Sequence, residues 1–149
     1  IEAGEGDEHH RLAGERTPNL PHATGQLSGL TLANGTPANL ARAAVEGMLC
    51  GLADAVEALE AQGVPIRRVL LIGGAAQSAA VSQIAPRVLG HPVLVADPGE
   101  YVADGAARQA ARAWLGQEAW AAVSGRWVEA EPTPHVREAY AARRDAAYP

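Results

Sequence analysis

Lysine and phenylalanine are both absent from this chain of 149 residues, and cysteine occurs once. Without lysine there is no amine for a Walker-A phosphate-binding loop or for Schiff-base chemistry. The single cysteine, Cys50, excludes an internal disulfide bond and a cysteine-based zinc cluster. Cys50 lies in an apolar helical pattern, so we interpret it as a small buried side chain.

Long apolar runs and an excess of positive charge are also missing. No stretch approaches the about 18 apolar residues of a membrane span, and the acidic start lacks the basic-then-apolar order of a signal peptide. The formal net charge is −5, whereas nucleic-acid-binding domains usually present a basic face. We therefore expect a cytoplasmic protein that binds neither membranes nor nucleic acid. The 48% of apolar residues is enough for the core of one domain.

Residues 1–36 form a loop-rich lead-in with little periodicity. Gly, Pro, Asn and Thr recur there, which predicts loop with one short strand near Leu27–Leu32. So long a segment without regular structure is unusual in a compact domain of this size. We infer that it packs against something outside the chain, or that the chain is a piece of a larger protein.

A long helix is predicted over Ala38–Gln62. Thr36 can accept a hydrogen bond from an early backbone N–H, and Pro37 suits the first turn, where its missing N–H costs nothing. Gly63 ends the helix. Its apolar residues cover more than one stripe, so this helix is expected to be covered on two sides.

The segment 37–116 has the pattern of an α/β core. Val69–Gly73 and His91–Ala96 are apolar without alternation, which is typical of strands buried on both faces of a parallel sheet. Further helices are predicted at Ser78–Leu89 and Glu100–Leu115. The order helix–strand–helix–strand–helix indicates an α/β fold with a right-handed crossover.

Residues 117–149 are predicted to form a helical C-terminal tail. It has two helical pieces, Gln117–Val123 and Pro134–Ala147, and a linker at Trp127–Pro132.

The turn that joins the first predicted strand to the next helix is the most informative segment. It consists of Gly73, Gly74, Ala75, Ala76, Gln77 and Ser78. Glycines let a ligand approach the backbone, and a helix start offers unpaired N–H groups and a positive dipole end. Ligands of open α/β sheets bind outside the carboxyl ends of the strands, where this turn falls. The pattern predicts either a phosphate- or nucleotide-binding turn or a tight turn without a ligand.

A dinucleotide-binding fold is a weaker alternative. The fingerprint G-x-G-x-x-G requires a third glycine, which does not follow Gly73 and Gly74 at the right place. Asp97 ends the second strand, roughly where such folds place a ribose-binding acid. We favour a role for Asp97 in the turn beside Pro98.

Metal and anion sites are less well supported. His9 and His10 lie near acidic residues, but adjacent histidines point in different directions and no second pair follows at ligand spacing, so no metal site is predicted. The pairs Arg67–Arg68 and Arg143–Arg144 are interpreted as solvated faces in preference to anion sites.

Five segments, in this order, resemble the C-terminal domain of FGGY-type carbohydrate kinases, with the xylulokinase branch most similar. They are Gly14–Pro18, Asn39–Gly47, Leu71–Ser78, Gly105–Ala110 and Pro134–Tyr140. The resemblance covers about Leu12 to the C-terminus. It implies part of an actin-like, ribonuclease H-like ATPase domain whose parent enzyme transfers the γ-phosphoryl group of MgATP to D-xylulose.

The resemblance also implies roles for residues of the glycine turn. Gly73, Gly74 and Ala75 would line the adenosine and phosphate pocket, and Ala76, Gln77 and Ser78 would lie near the base and ribose. Mg²⁺ would be held mainly by ATP and by parts that this chain lacks. On the same grounds, residues 37–116 are the nucleotide-side core.

Other parts of the family pattern are missing here. The family's N-terminal domain with its phosphate-binding hairpin is absent, and none of the aspartates fits the family's general base. We therefore expect a catalytically incomplete chain that binds ATP or ADP and associates with the rest of its kinase or with itself. The alternative is a stand-alone, non-catalytic nucleotide-binding or regulatory domain.

Overall fold

A computed structural model describes residues 13–15, 19–116 and 120–147. In chain order the elements are β1 (Ala13–Glu15), β2 (Leu20–Thr24), α1 (Pro37–Ala61), β3 (Val69–Leu71), α2 (Ala79–Leu89), β4 (Val93–Ala96), α3 (Tyr101–Leu115), β5 (Gly125–Val128) and α4 (Pro134–Ala147). A short 3-10 helix, Gly74–Gln77, lies between β3 and α2. The predicted order of helices and strands in the core is confirmed.

Helix α1 begins as the sequence predicts. The hydroxyl of Thr36 accepts a hydrogen bond from the backbone N–H of Asn39 at 3.3 Å, and Pro37 occupies the first turn. Satisfying one of the free N–H groups at a helix start typically contributes about 1 kcal/mol. The long helix is therefore confirmed to within one residue at each end.

One side of α1 forms the hydrophobic core with α2 and β4. Eight buried residues make up this core cluster: Leu49, Cys50, Ala53, Val81, Ala85, Val88, Leu89 and Val93. Elsewhere on α1, the side chains of Leu40, Leu52 and Leu59 remain exposed. The expectation of cover on two sides is therefore met on one side only, because the described residues place α2 and α4 against one flank.

The central sheet has three strands in the order β3–β4–β5. β3 and β4 are parallel and joined through α2, as predicted, with Val69 opposite Val93 and Leu71 opposite Val95. All four residues of β4 are buried. The three residues of β3 are only half-buried, because β3 lies at the edge of the sheet, so the prediction of two fully buried strands is wrong for β3.

The third strand corrects the prediction for the C-terminal region. β5 pairs antiparallel with β4, so the interpretation of Trp127–Pro132 as a linker is wrong for Trp127 and Val128, while residues 129–132 have no regular structure. Residue Gly125 makes this pairing possible: a Cβ atom there would lie 2.3 Å from the carbonyl oxygen of Val95. β5 has four residues, and a segment this short carries too little pattern to be recognised as a strand from the sequence.

Two further local predictions are wrong. Within the predicted helix Gln117–Val123, residues 120–123 are not helical, and residues 117–119 lie outside the described part. No strand occurs at Leu27–Leu32. The lead-in instead contains the hairpin β1–β2, in which Ala13 pairs with Thr24. Pro21 within β2 masks the strand pattern, although proline is tolerated on edge strands.

The C-terminal helix α4 has the predicted bounds, and it packs against the core. Val136 and Tyr140 contact the core cluster, and the backbone N–H of Thr133 donates to the carbonyl of Arg87 at 2.9 Å. Among the described helices, none is both long and apolar enough to cross a membrane.

Candidate functional site

The glycine turn leaves the carboxyl end of β3 and enters α2 through the 3-10 helix. Gly73 has φ +86° and ψ −178°, a backbone conformation that residues with a Cβ atom rarely adopt. Gly73 lies two residues beyond the end of β3 and directly before the 3-10 helix. The sequence therefore folds locally as predicted, into a strand, a tight turn and a helix.

The glycine pair faces open space. A Cβ atom built on Gly73 or on Gly74 would have no other heavy atom within 4 Å. Both glycines are exposed, as are Ala75, Gln77 and Ser78. Ala76, by contrast, is 2% exposed and supports the turn from beneath. At Gly73 and Gly74 the turn therefore exposes backbone without side chains. A ligand can approach the backbone closely at these positions.

Two backbone hydrogen bonds close the turn. The N–H of Ala76 donates to the carbonyl of Gly73, and the N–H of Ser78 donates to the carbonyl of Ala75, both at 3.1 Å. These two amides are used within the turn. Of the residues predicted to lie near a base and ribose, Ala76 is therefore a supporting residue, whereas the side chains of Gln77 and Ser78 are exposed.

The start of α2 carries no competing anion. Ser78 is the N-cap residue, but its side chain makes no capping hydrogen bond, and no acidic residue lies in the first turn. The buried Ser82 hydroxyl donates to the carbonyl of Ala79 at 3.1 Å. An 11-residue helix with an uncharged first turn directs the positive end of its dipole towards the glycine pair.

No side chain in the turn titrates near neutral pH, so the turn can bind but cannot transfer a proton. Three aspartates outside the turn, Asp54, Asp97 and Asp104, make other contacts. Asp54 makes an ion pair with Arg144 at 2.5 Å, and Asp104 makes one with Arg108 at 2.6 Å. The carbonyl of Asp97 accepts a hydrogen bond from the hydroxyl of Tyr101 at 2.6 Å, in the predicted turn after β4.

Metal ligation has no support at this site. Groups of three or more His, Cys, Asp or Glu side chains that could hold a metal ion do not occur in the described part of the chain. His9 and His10 lie outside that part. The turn itself offers no carboxylate, so a metal ion that accompanies a bound phosphate would need other ligands.

Sequence reasoning missed a second concave surface. It lies at the opposite end of the sheet and includes Arg67, Arg68 and Trp127. Because β5 was not predicted, we had no reason to expect Trp127 close to Arg67 and Arg68. The four residues of β5, Gly125–Val128, carry too short a pattern to have indicated this strand from the sequence.

Comparisons with known proteins show that the chain is similar to carbohydrate kinases. The sequence profile described as "FGGY family of carbohydrate kinases, C-terminal domain" matches residues 10–114. A xylulose kinase of Streptomyces coelicolor is 44% identical over 117 residues, which cover 78% of this chain and 24% of that protein. A glycerol kinase of Citrifermentans bemidjiense is 41% identical over 85 residues, which cover 56% of this chain and 17% of that protein.

The fold also matches a solved structure. The crystal structure of xylulose kinase from Bifidobacterium adolescentis superposes with a TM-score of 0.75 at 50% sequence identity, covering 89% of this chain and 27% of that one. The expected fold class, an α/β part of an actin-like, ribonuclease H-like sugar-kinase domain, is confirmed. The chain spans about a quarter of the length of these xylulose kinases.

Proposed function

Because the chain belongs to the FGGY family of carbohydrate kinases, we propose that it forms the nucleotide-side part of a sugar kinase. The parent enzyme transfers the γ-phosphoryl group of ATP to a hydroxyl of D-xylulose and gives xylulose 5-phosphate. Identity of 44–50% to xylulose kinases supports the choice of sugar. The observation that carries the proposal is the exposed Gly73–Gly74 pair beside the start of α2.

The turn binds ATP or ADP through backbone contact. A phosphate or ribose oxygen can approach the glycine pair more closely than it could approach any residue with a side chain. The α2 dipole stabilises negative charge in front of it. The exposed side chains of Gln77 and Ser78 offer an amide and a hydroxyl for hydrogen bonds to the base or ribose. This arrangement holds and orients the nucleotide.

Mg²⁺ is assigned to the nucleotide and not to the turn. Phosphoryl transfer requires positioned phosphates, Mg²⁺ and an aligned nucleophile. When bound, Mg²⁺ would neutralise charge on the phosphates, but the turn contains no carboxylate to hold it. The chain alone is therefore expected to bind nucleotide without D-xylulose-dependent release of ADP, since losing a general base alone commonly costs about 10²–10⁴-fold.

The binding experiment compares two valine substitutions. Gly74→Val places a branched side chain in the open space of the turn, while Gly47→Val does so on α1. Neither position has a heavy atom within 4 Å of the new Cβ and neither has a positive φ, so both variants should fold. Calorimetry with ADP and Mg²⁺ should show binding to the parent chain and to Gly47→Val, and none to Gly74→Val. Equal affinity in all three would place the nucleotide elsewhere.

A chimera tests the kinase assignment separately. Residues 10–114 replace the matching segment of the Streptomyces coelicolor xylulose kinase, and ADP release is measured with D-xylulose. We expect turnover in the chimera and in its Gly47→Val form, and loss of turnover with Gly74→Val. A folded chimera that binds ADP without turnover would overturn the kinase assignment and favour a non-catalytic nucleotide-binding domain.

A further inference from the structure

A groove of about 410 Å³ lies at the end of the sheet opposite the glycine turn. The residues just before β3 and β4 form two of its walls, and the end of β5 forms the third. β5 runs antiparallel to β4, so its carboxyl end lies at the amino ends of the other two strands. This volume is within the range of small-molecule sites. The groove lining comprises Ile66, Arg67, Arg68, Val69, His91, Pro92, Trp127 and Glu129.

The two arginines bring positive charge to the groove, and no ion pair within the described part of the chain engages them. Arg42, Arg108, Arg137 and Arg144 each make an ion pair with a carboxylate. Arg67 and Arg68 are exposed and make no such pair within the described part of the chain. Guanidinium groups bind phosphate by paired hydrogen bonds. The groove therefore has a place for a phosphate group.

The opposite wall is flat and apolar. Trp127 is 53% exposed although it sits in a strand, where it pairs with the buried Leu94. The strand pairing fixes the backbone of Trp127, and side chains held on strands are positioned more precisely than those on loops. An indole ring that lines the same groove as two arginines suits a ligand that carries a compact carbon skeleton next to its charge.

The carboxylates in and beside the groove decide between classes of ligand. Glu129 lines it, and Glu131 lines the adjoining groove of about 460 Å³. Glu60 is already engaged with His91 at 3.3 Å. Free carboxylates repel a polyanion but accept hydrogen bonds from hydroxyl groups. Nucleic acid is disfavoured on these grounds, and a ligand with both a phosphate and hydroxyl groups is favoured.

We propose that this groove binds a small polyhydroxylated phosphomonoester, such as a sugar phosphate. Arg67 and Arg68 hold the phosphate, Trp127 packs against the carbon skeleton, and Glu129 accepts hydrogen bonds from the hydroxyls. The site lies at the other end of the strands from the glycine turn, so it is separate from the nucleotide site. The residues of the groove support this site independently of the proposed kinase activity.

Titration with D-ribose 5-phosphate tests the proposal, with D-ribose and inorganic phosphate as comparison ligands. We expect amide chemical-shift changes in 66–69, at His91 and in 127–129, with a dissociation constant of about 1 mM or below. Both comparison ligands should bind at least about tenfold more weakly, which corresponds to about 1.4 kcal/mol. Equal binding of inorganic phosphate means an adventitious ion only, and no shift changes at 20 mM sugar phosphate would equally overturn the proposal.

Matched variants locate the contacts. Arg67→Ala with Arg68→Ala should weaken binding by about tenfold or more. The control, Arg126→Ala with Arg143→Ala, removes the same charge from exposed positions outside the groove lining and should leave binding unchanged. Glu129→Gln should reduce the preference for the sugar phosphate over inorganic phosphate. Equal losses in the double variant and in its control would show general charge attraction and overturn the site.

Discussion

Helices α3 and α4 are similar in length, 15 and 14 residues, and neither contains a buried residue. Yet only α4 is fastened to the rest of the fold. Tyr140 and Val136 pack against the core cluster, while Arg137 pairs with Glu57 of α1 and Arg144 pairs with Asp54. Each of these contacts joins residues that are far apart in the sequence, so α4 closes one side of α1.

Arg108 of helix α3 makes its polar contacts with nearby parts of the chain. Arg108 pairs with Asp104 one turn away, and its guanidinium lies 5.4 Å from the ring centroid of Trp120. Val102, Trp114 and Leu115 are 83%, 89% and 71% exposed. Large contiguous patches of exposed apolar side chains usually mark interaction surfaces. The comparison shows that an amphipathic helix is covered only where the chain supplies a complementary face, and we propose that the rest of the kinase covers α3.

The largest expected effect is a difference in unfolding free energy between a substitution in the core cluster and one on the exposed helix α3. Leu49→Ala empties a position in the core that is 0% exposed, and such changes typically cost about 2–5 kcal/mol of unfolding free energy. Leu115→Ala on α3 should change it by less than about 0.5 kcal/mol. Urea unfolding followed by circular dichroism measures both values. Similar losses in the two variants would mean that α3 is packed after all.

The same pair of variants reports on association. An exposed apolar helix favours self-association of the purified chain, so Leu115→Ala should lower the apparent mass in a light-scattering dilution series. Leu49→Ala should not reduce association, because Leu49 is not on the surface.

A second, smaller effect is the pH dependence of stability that the thiol of Cys50 causes, since this thiol is buried in the core cluster. Burial and the neighbouring Asp54 carboxylate raise the pKa of Cys50 to about 11, from an ordinary value of 9.0. Below pH 9 the thiol is protonated in both folded and unfolded chains, and its contribution to stability is fully present. Between pH 9 and about 11 only the unfolded chain ionises, so stability falls by about 2 kcal/mol.

The ultraviolet absorbance of the Cys50 thiolate measures this pKa without a reagent that must reach the buried thiol. In the native chain the absorbance should rise with an inflection near pH 11, and in the unfolded chain with one near 9. Cys50→Ala removes the thiol, so the difference in unfolding free energy between parent and variant should shrink as pH rises through this window. A native inflection near 9 would show that α4 and α2 do not cover the thiol.

Much of this fold follows from the sequence, and the exceptions share a cause. α1, α2 and α4 are found within one residue because caps, a stop glycine and apolar periodicity agree. β5 was not predicted, because its four residues carry little pattern and its pairing with β4 depends on contacts between residues far apart in the sequence. The glycine turn was visible as a local motif, whereas the groove at Arg67, Arg68 and Trp127 required the sheet to bring three segments together.

The smallest expected effect is the difference in coupling free energy between the ion pair of α4 and that of α3. Arg144 Nη1 lies 2.5 Å from Asp54 Oδ2 across the α4–α1 interface, and both side chains are about one-quarter to one-third exposed. The hydrogen bond to Asp145 and then the one to Asp54 raise the pKa of Arg144. A raised pKa contributes stability that is lost only as pH rises through it, and for an arginine this lies above the working range. Salt, and not pH, is therefore the useful variable.

A double-mutant cycle with Arg144→Gln and Asp54→Asn should give a coupling of about 0.5–1 kcal/mol, because the pair joins two elements and is partly shielded from water. The cycle with Arg108→Gln and Asp104→Asn should give about 0.2–0.5 kcal/mol, the usual value for neighbours one turn apart on a helix. Raising the salt from 0.1 to 1 M should reduce the coupling on α3 by the larger fraction, since more exposed charges are screened more. Equal couplings with equal salt dependence would mean that the Arg144–Asp54 pair contributes no more to holding α4 against α1 than a local ion pair on one helix does.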